Sequence, residues 1–277
     1  TGLPALHQNG ARAEAWGMHF ATIRCAAQSG PGRGEGHGTQ LRYHRRRSHH
    51  SSAAVAVSAA PPIYAPPCGA LRVAYCDESL IVLDKPSGLL SVPGRGPAHA
   101  DSLASRVQAE FPDARIVHRL DMATSGLIVM ARGQDMERRL SIAFQQRRVS
   151  KRYIAVVAGR LREEHGEVEL PLIADWPRRP RQKVDLELGK PSLTAFTLIA
   201  YDAGRDTSRV ELRPHTGRSH QLRVHMQAIG HPILGDELYA DEVARNAAPR
   251  LLLHATALTL PHPLDGELLK VESIPDF

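Results

Sequence analysis

A chain of 277 residues with 42% hydrophobic content can bury a real core, as one large domain or two small ones. No run approaches the roughly 18 apolar residues of a membrane-spanning helix, and no charged, apolar and small-residue succession marks a secretory signal, so a soluble protein is expected. Aromatic residues at 5% are too few for extensive base-stacking platforms, while a net charge of +6 points toward nucleic acid.

That charge is unevenly placed. Residues 1–70 hold seven Arg and two Glu, whereas residues 71–277 hold 28 basic and 27 acidic residues, so a folded part that meets RNA must do so through local clusters. Residues 1–68 alternate Gly, Ser, Pro and Ala patches with the run His44 to His50, and no period of 2 or 3.6 persists. A disordered, low-complexity basic tail is expected there. Three readings of it stay open: an Arg-rich targeting peptide, an RNA-attracting arm, or upstream sequence translated from a misplaced start, the first residue being Thr with Met18 internal. Cys25, Cys68 and Cys76 have no C-x-x-C spacing, so neither a disulfide framework nor a zinc site is indicated, and a reducing, cytoplasmic setting is expected.

From Leu71 onward the pattern becomes ordered, and residues 69–277 are expected to form one domain. Leu80 to Lys85 reads as a buried strand stopped by Pro86-Ser87-Gly88. Asp101 to Phe111 reads as a helix, with Leu103 and Val107 four apart. Arg115-Ile116-Val117 reads as a strand end, Ala123 to Gly126 as a turn, and Leu127 to Ala131 as the returning strand. Asp121 is thereby placed in a loop between two strands, two residues after Arg119. Taken alone, an Asp ahead of a Ser-Gly turn is more often a turn residue bonding its own backbone.

Met136, Leu140, Ala143 and Phe144 recur with helical spacing, and that helix ends in the basic pair Arg147 and Arg148. Those arginines complement the helix dipole and would also reach phosphates. Tyr153 to Ala158 reads as a strand buried on both faces. The loop Asp175 to Lys183 concentrates Arg178, Arg179, Arg181 and Lys183 around prolines and Trp176, which suits a nucleic-acid backbone as well as it suits a solvated surface. Strands are expected at Thr194 to Ala200 and Ser208 to Arg213. A helix follows, with Ser219 as N-cap, Leu222, Met226 and Ile229 as its apolar stripe, and Gly230 at its end. Strand pattern returns at Leu251 to Leu260 and at Leu268 to Val271. Strands in runs with few helices between them argue an α+β fold with a mostly antiparallel sheet.

His215, His220 and His225 are spaced by five, which is wrong for one helix face, and no carboxylate accompanies them at ligand spacing, so no metal is expected. Phosphate-loop, dinucleotide-fold and nucleophile-elbow motifs do not occur. What remains is a lone Asp with arginines nearby and a Tyr on a separate strand. A carboxylate can act as a covalent nucleophile while ionised, and an arginine within a few ångströms favours that form; which arginine is not legible in the spacing.

The segments HRLDMATSGLIVMA, SKRYIAVVAG, TGRSHQLRVHM with GHPILGD, and PRLLLHA stand in order across residues 71–277, and together they resemble the signatures of the RluA family of pseudouridine synthases. LLSVPGR and ADWPRRPRQKV resemble the short bacterial branch that acts on large-subunit rRNA and tRNA. The resemblance implies a long, bent, mixed but mainly antiparallel sheet with flanking helices and a central active-site cleft. It implies isomerisation of specific uridines in RNA stem-loops by base flipping, without metal or organic cofactor, by a monomer. Asp121 matches the nucleophile, Tyr153 the residue stacking on the base, Arg223 the arginine pairing with the aspartate, and Arg119 the residue entering the RNA stack. Arg147, Arg148, Arg178, Arg179, Arg181, Lys183, Arg218 and His220 are the further RNA-contact candidates. Leu252 and Leu253 read equally well as pocket wall or as core. The rival class is a non-catalytic RNA-binding protein, which has no need of a desolvated Asp and Arg pair; an Asp-dependent hydrolase would want a second acid or a metal.

Overall fold

The computed structural model describes residues 64–277, so the tail expected over residues 1–68 lies, as far as residue 63, outside the described residues. In chain order the strands are β1 (Arg72–Cys76), β2 (Leu80–Lys85), β3 (Ala114–Ile116), β4 (Ser125–Arg132), β5 (Ser150–Ala158) and β6 (His165–Glu169). They continue as β7 (Leu172–Ala174), β8 (Gln182–Val184), β9 (Leu193–Asp202), β10 (Thr207–Pro214), β11 (Leu253–Pro261) and β12 (Leu268–Glu272). The helices are α1 (Leu103–Glu110), α2 (Gly133–Gln145), α3 (Gln221–Ala228) and α4 (Glu242–Asn246).

Ten strands form one mixed sheet in the order β1-β2-β4-β11-β5-β10-β9-β6, with β12 on β11 and β3 on β4, while β7 and β8 pair separately. Only β4 and β11 run parallel; every other pairing is antiparallel. Both faces of the central strands are covered. Ile128 and Met130 of β4 join the cluster that holds Leu103, Tyr153, Leu222 and Met226, whereas Leu127, Val129 and Ala131 join the one that holds Leu140 and Ala143. A strand buried on both faces reads as a continuous apolar run, which is how LIVMA is written. Helices α1 and α3 therefore flank one face and α2 the other.

The helix boundaries follow from their caps. Ser102 and Ser105 form a reciprocal capping box at the start of α1. At α3 the expected cap Ser219 is not used: the N-cap is His220, in the left-handed region at φ 54°, and its side chain does not cap. Gln221, the first residue of α3, instead ties the preceding loop to β9. Its Oε1 accepts from the Thr216 hydroxyl and the Arg218 N–H, and its Nε2 donates to Leu193 O and Thr194 Oγ1.

Candidate active site

Asp121 lies in the loop between β3 and β4, and the segment Lys85 to Ser91 holds that loop's backbone. Lys85 Nζ donates to Met122 O at 3.0 Å, the Gly88 N–H to the same oxygen at 2.9 Å, and Ser87 Oγ to Ala123 O at 2.7 Å. Ser91 Oγ donates to Leu120 O and accepts from the Leu120 N–H, and the Thr124 N–H closes the turn on Asp121 O. Carbonyls 120 to 123 are thus all satisfied, so the loop is set before any substrate contact. The loop leaves into β4 through Gly126, at φ 106°, where any Cβ would run into the Ala255 backbone of β11. In register, Gly126 faces Ala255, Ala255 faces Tyr153, and Tyr153 faces Leu212, so Tyr153 sits two strands from the turn that presents Asp121.

Arg223 reaches Asp121 from α3, Nη1 to Oδ2 at 3.4 Å, across 102 positions of sequence. Its guanidinium is fixed from behind by Asp236, which is fully buried: Nε to Oδ2 is 2.8 Å and Nη2 to Oδ1 is 2.7 Å. Asp236 Oδ1 in turn accepts from the Leu238 and Tyr239 N–H groups. The short bidentate fork goes to Asp236 and the longer contact to Asp121, so the arginine's orientation does not depend on the nucleophile candidate. His220 Nε2 lies 3.9 Å from the other oxygen, Asp121 Oδ1, and His220 Nδ1 is 2.7 Å from the Tyr239 hydroxyl.

Tyr153 is 9% exposed, and its hydroxyl makes no hydrogen bond among the described residues. Burial raises its phenol well above the ordinary value, and the Asp121 charge adds to that, so the group is a neutral phenol facing a carboxylate. Lys85 is fully buried and donates to Pro86 O, Leu89 O and Met122 O; burial draws its ammonium down to about 7 against the opposing charge of Asp121.

The expected residues Asp121, Arg223 and His220 therefore meet, with Tyr153 within reach of the Asp121 charge. Arg119 is exposed two residues before Asp121. Arg178 and Arg179 are exposed on the loop between β7 and β8; Arg178 pairs with Asp175 at 2.7 Å and Arg179 stacks on Trp176 at 3.2 Å. Arg181 is half-buried, Lys183 pairs with Asp185, and Arg218 donates to Pro191 O. Arg147 and Arg148 are exposed just past α2, whose core contacts lie on the sheet face opposite Tyr153, and they take no part in the cluster around Asp121. His225 is buried between Ser192 and Leu170 O, and no metal-holding group occurs among the described residues. Leu253 belongs to the core. Sequence reasoning missed Lys85, Asp236 and Tyr239. The signal for Lys85 was present, since Ile81, Leu83 and Lys85 alternate onto one buried face.

The comparisons agree with this architecture. A family model described as RNA pseudouridylate synthase matches residues 79–228. The dual-specificity RNA pseudouridine synthase RluA of Escherichia coli (strain K12) is 53% identical over 207 residues, 75% of this chain and 94% of that protein. Its counterpart in Haemophilus influenzae is 49% identical over 215 residues, 77% of this chain and 98% of that protein. Among solved structures, human RNA pseudouridylate synthase domain containing 1 superposes with a TM-score of 0.64 at 30% identity, covering 77% of this chain and 87% of that one. A matching model over more than half of the chain, half-identical relatives covered almost end to end, and the mixed, mainly antiparallel sheet agree with one another: this chain belongs to the RluA family of RNA pseudouridine synthases.

Proposed function

We propose that this enzyme isomerises specific uridines in stem-loops of large-subunit rRNA and of the tRNA anticodon arm, with Asp121 as nucleophile. The observation that carries the assignment of Asp121 is the arginine behind it: Arg223, locked to buried Asp236, offers one N–H to the Asp121 carboxylate. A binding protein gains nothing from burying a guanidinium between two carboxylates at several kcal/mol of desolvation per ion. The two RNA classes rest on the resemblance of LLSVPGR and ADWPRRPRQKV and fit the dual specificity named in the relatives.

A uridine cannot be detached and turned while stacked, so it leaves the stack at a cost of a few kcal/mol, least in a loop. Arg119 fills the vacancy. Asp121 bonds to C1′ as N1–C1′ breaks, the base turns against the Tyr153 ring, and C5 displaces the carboxylate from C1′. C5 gives up its proton while N1 takes one, so the product is an isomer and the carboxylate is regenerated. Arg178, Arg179, Arg181, Lys183, Arg218, Arg147 and Arg148 neutralise phosphates, and residues 69–277 act as one monomeric, cytoplasmic catalytic domain. No helix among the described residues is long and apolar enough to cross a membrane.

Asp121→Asn should abolish tritium release from RNA carrying 5-tritiated uridine while RNA affinity stays near wild type. Turnover near wild type would overturn the nucleophile assignment.

A further inference from the structure

The nucleophile has two carboxylate oxygens, and only Oδ2 is served by Arg223. Oδ1 faces His220, whose side chain is 13% exposed and whose backbone is held in the left-handed region at φ 54°. A non-glycine residue kept there is strained, and such strain concentrates at functional sites. The ring is held edge-on to Tyr239, centroids 5.6 Å apart at 85°.

The protons of this cluster can be placed from their hydrogen-bond partners. The Gln182 N–H of β8 can only donate, and it donates to the Tyr239 hydroxyl at 2.7 Å. The hydroxyl's other contact among the described residues is His220 Nδ1, at 2.7 Å, which is the acceptor within reach of the phenolic hydrogen, while the acceptor-only Asp121 carboxylate beyond Nε2 favours the ring hydrogen on that side. The phenolic hydrogen therefore points to Nδ1, which must be bare to receive it. Burial pushes the Tyr239 phenol up to about 12 despite the Arg223 charge, and burial together with Arg223 pushes His220 below its ordinary value, so the phenol keeps its proton and the ring gains none. A neutral imidazole with a bare Nδ1 carries its hydrogen on Nε2, the atom 3.9 Å from Asp121 Oδ1. That separation is beyond a direct hydrogen bond, and it is of the kind that tightens in a Michaelis complex.

We propose that His220 is a positioning residue for Asp121: Tyr239 fixes it as the Nε2–H tautomer, and it offers that N–H to Oδ1 while Arg223 holds Oδ2. The proposal rests on the reading of Asp121 as nucleophile. Its consequence is that the carboxylate plane is set from both sides, by one charged and one neutral donor. The relay begins in the basic loop, because Gln182 directly follows Arg181, whose carbonyl is held by the Asp175 N–H. RNA bound along Arg178 to Arg181 is thereby joined to the nucleophile through three hydrogen-bonding groups.

His220→Asn separates this role from folding. Asn tolerates the left-handed backbone, and its side chain is too short to bring a donor to Oδ1. The expected result is a single-turnover rate about tenfold lower, the size of one lost hydrogen bond, with stem-loop Kd and thermal midpoint unchanged. In the RNA-free wild-type enzyme labelled with 15N-histidine, the resonances lost in the variant should show a protonated Nε2 and a bare Nδ1. Tyr239→Phe should convert them to a mixture of tautomers. A protonated Nδ1 in the wild type, or a His220→Asn enzyme as fast as wild type, overturns the proposal alone. An Asp121→Asn enzyme with wild-type turnover overturns the reading beneath it.

Discussion

Lys85 shows how one buried residue sets the geometry of the candidate site through the backbone behind Asp121. Its three ammonium hydrogens have three carbonyl partners, and one of them, Met122 O, belongs to the residue that follows Asp121. Replacing it with Met leaves Pro86 O and Leu89 O without that donor and Met122 O with the Gly88 N–H alone, and should lower stability by about 2 kcal/mol. The pH dependence has a definite sign. Lys85 titrates at about 7 when folded against an ordinary 10.5, so between those values the unfolded chain binds the extra proton and stability rises with pH. The slope reaches at most about 1.4 kcal/mol per pH unit. Urea midpoints measured at pH 7 and pH 9 should therefore climb in the wild type relative to Lys85→Met; parallel curves for the two proteins would show that Lys85 is not held near neutrality.

At the scale of elements, the turn into β4 decides whether the Asp121 loop and Tyr153 share a register. Gly126→Ala meets two obstacles at once, a φ of 106° and the Ala255 backbone, and should cost about 3 kcal/mol in chemical denaturation while separating β4 from β11. Gly133→Ala is the control, since it also has positive φ but open space, and should cost about 1 kcal/mol. Such elements were legible where one local rule governed them. LIVMA announced a strand covered on both faces, and Met136, Leu140, Ala143 and Phe144 announced α2. β6 was not legible, because only Gly166 and Val168 of HGEVE are buried and neither makes a pattern. Ser219 misled as a cap because the Gln221 N–H that it would have accepted donates to Arg218 O instead. The site was legible as residues and not as geometry: Asp121 stands out in its motif, but that Arg223 is the partner depends on Asp236, which fixes the guanidinium from a loop beyond α3.

Over the whole molecule, buried neutral histidines on both faces of the sheet make the fold sensitive to acid. His118 packs against Phe144 of α2, and its Nε2 accepts from the Val129 N–H, so a second ring proton would face a donor. His225 of α3 has its Nε2 against Ser192 Oγ and Leu170 O, while its buried Nδ1 has no partner among the described residues to receive a second ring hydrogen. Burial holds His118 down to about 3, with Lys151 adding to the effect, and holds His225 down to about 4, against an ordinary 6.5 for both. Below pH 6.5 the unfolded chain takes up protons that the folded chain refuses, so stability falls as pH drops toward 4, by up to about 2.7 kcal/mol per unit for the pair. The Lys85 contribution has the same direction above neutrality, so these groups together favour the folded state increasingly from pH 4 to above 9. Urea midpoints between pH 7 and 4.5 should show the acid loss. His225→Leu, which leaves the bond from Ser192 to Leu170 O in place, should reduce its slope by about half. A wild-type midpoint unchanged between pH 6.5 and 4.5 would mean that both rings accept their protons in the folded state and that the packing around them opens to let water in.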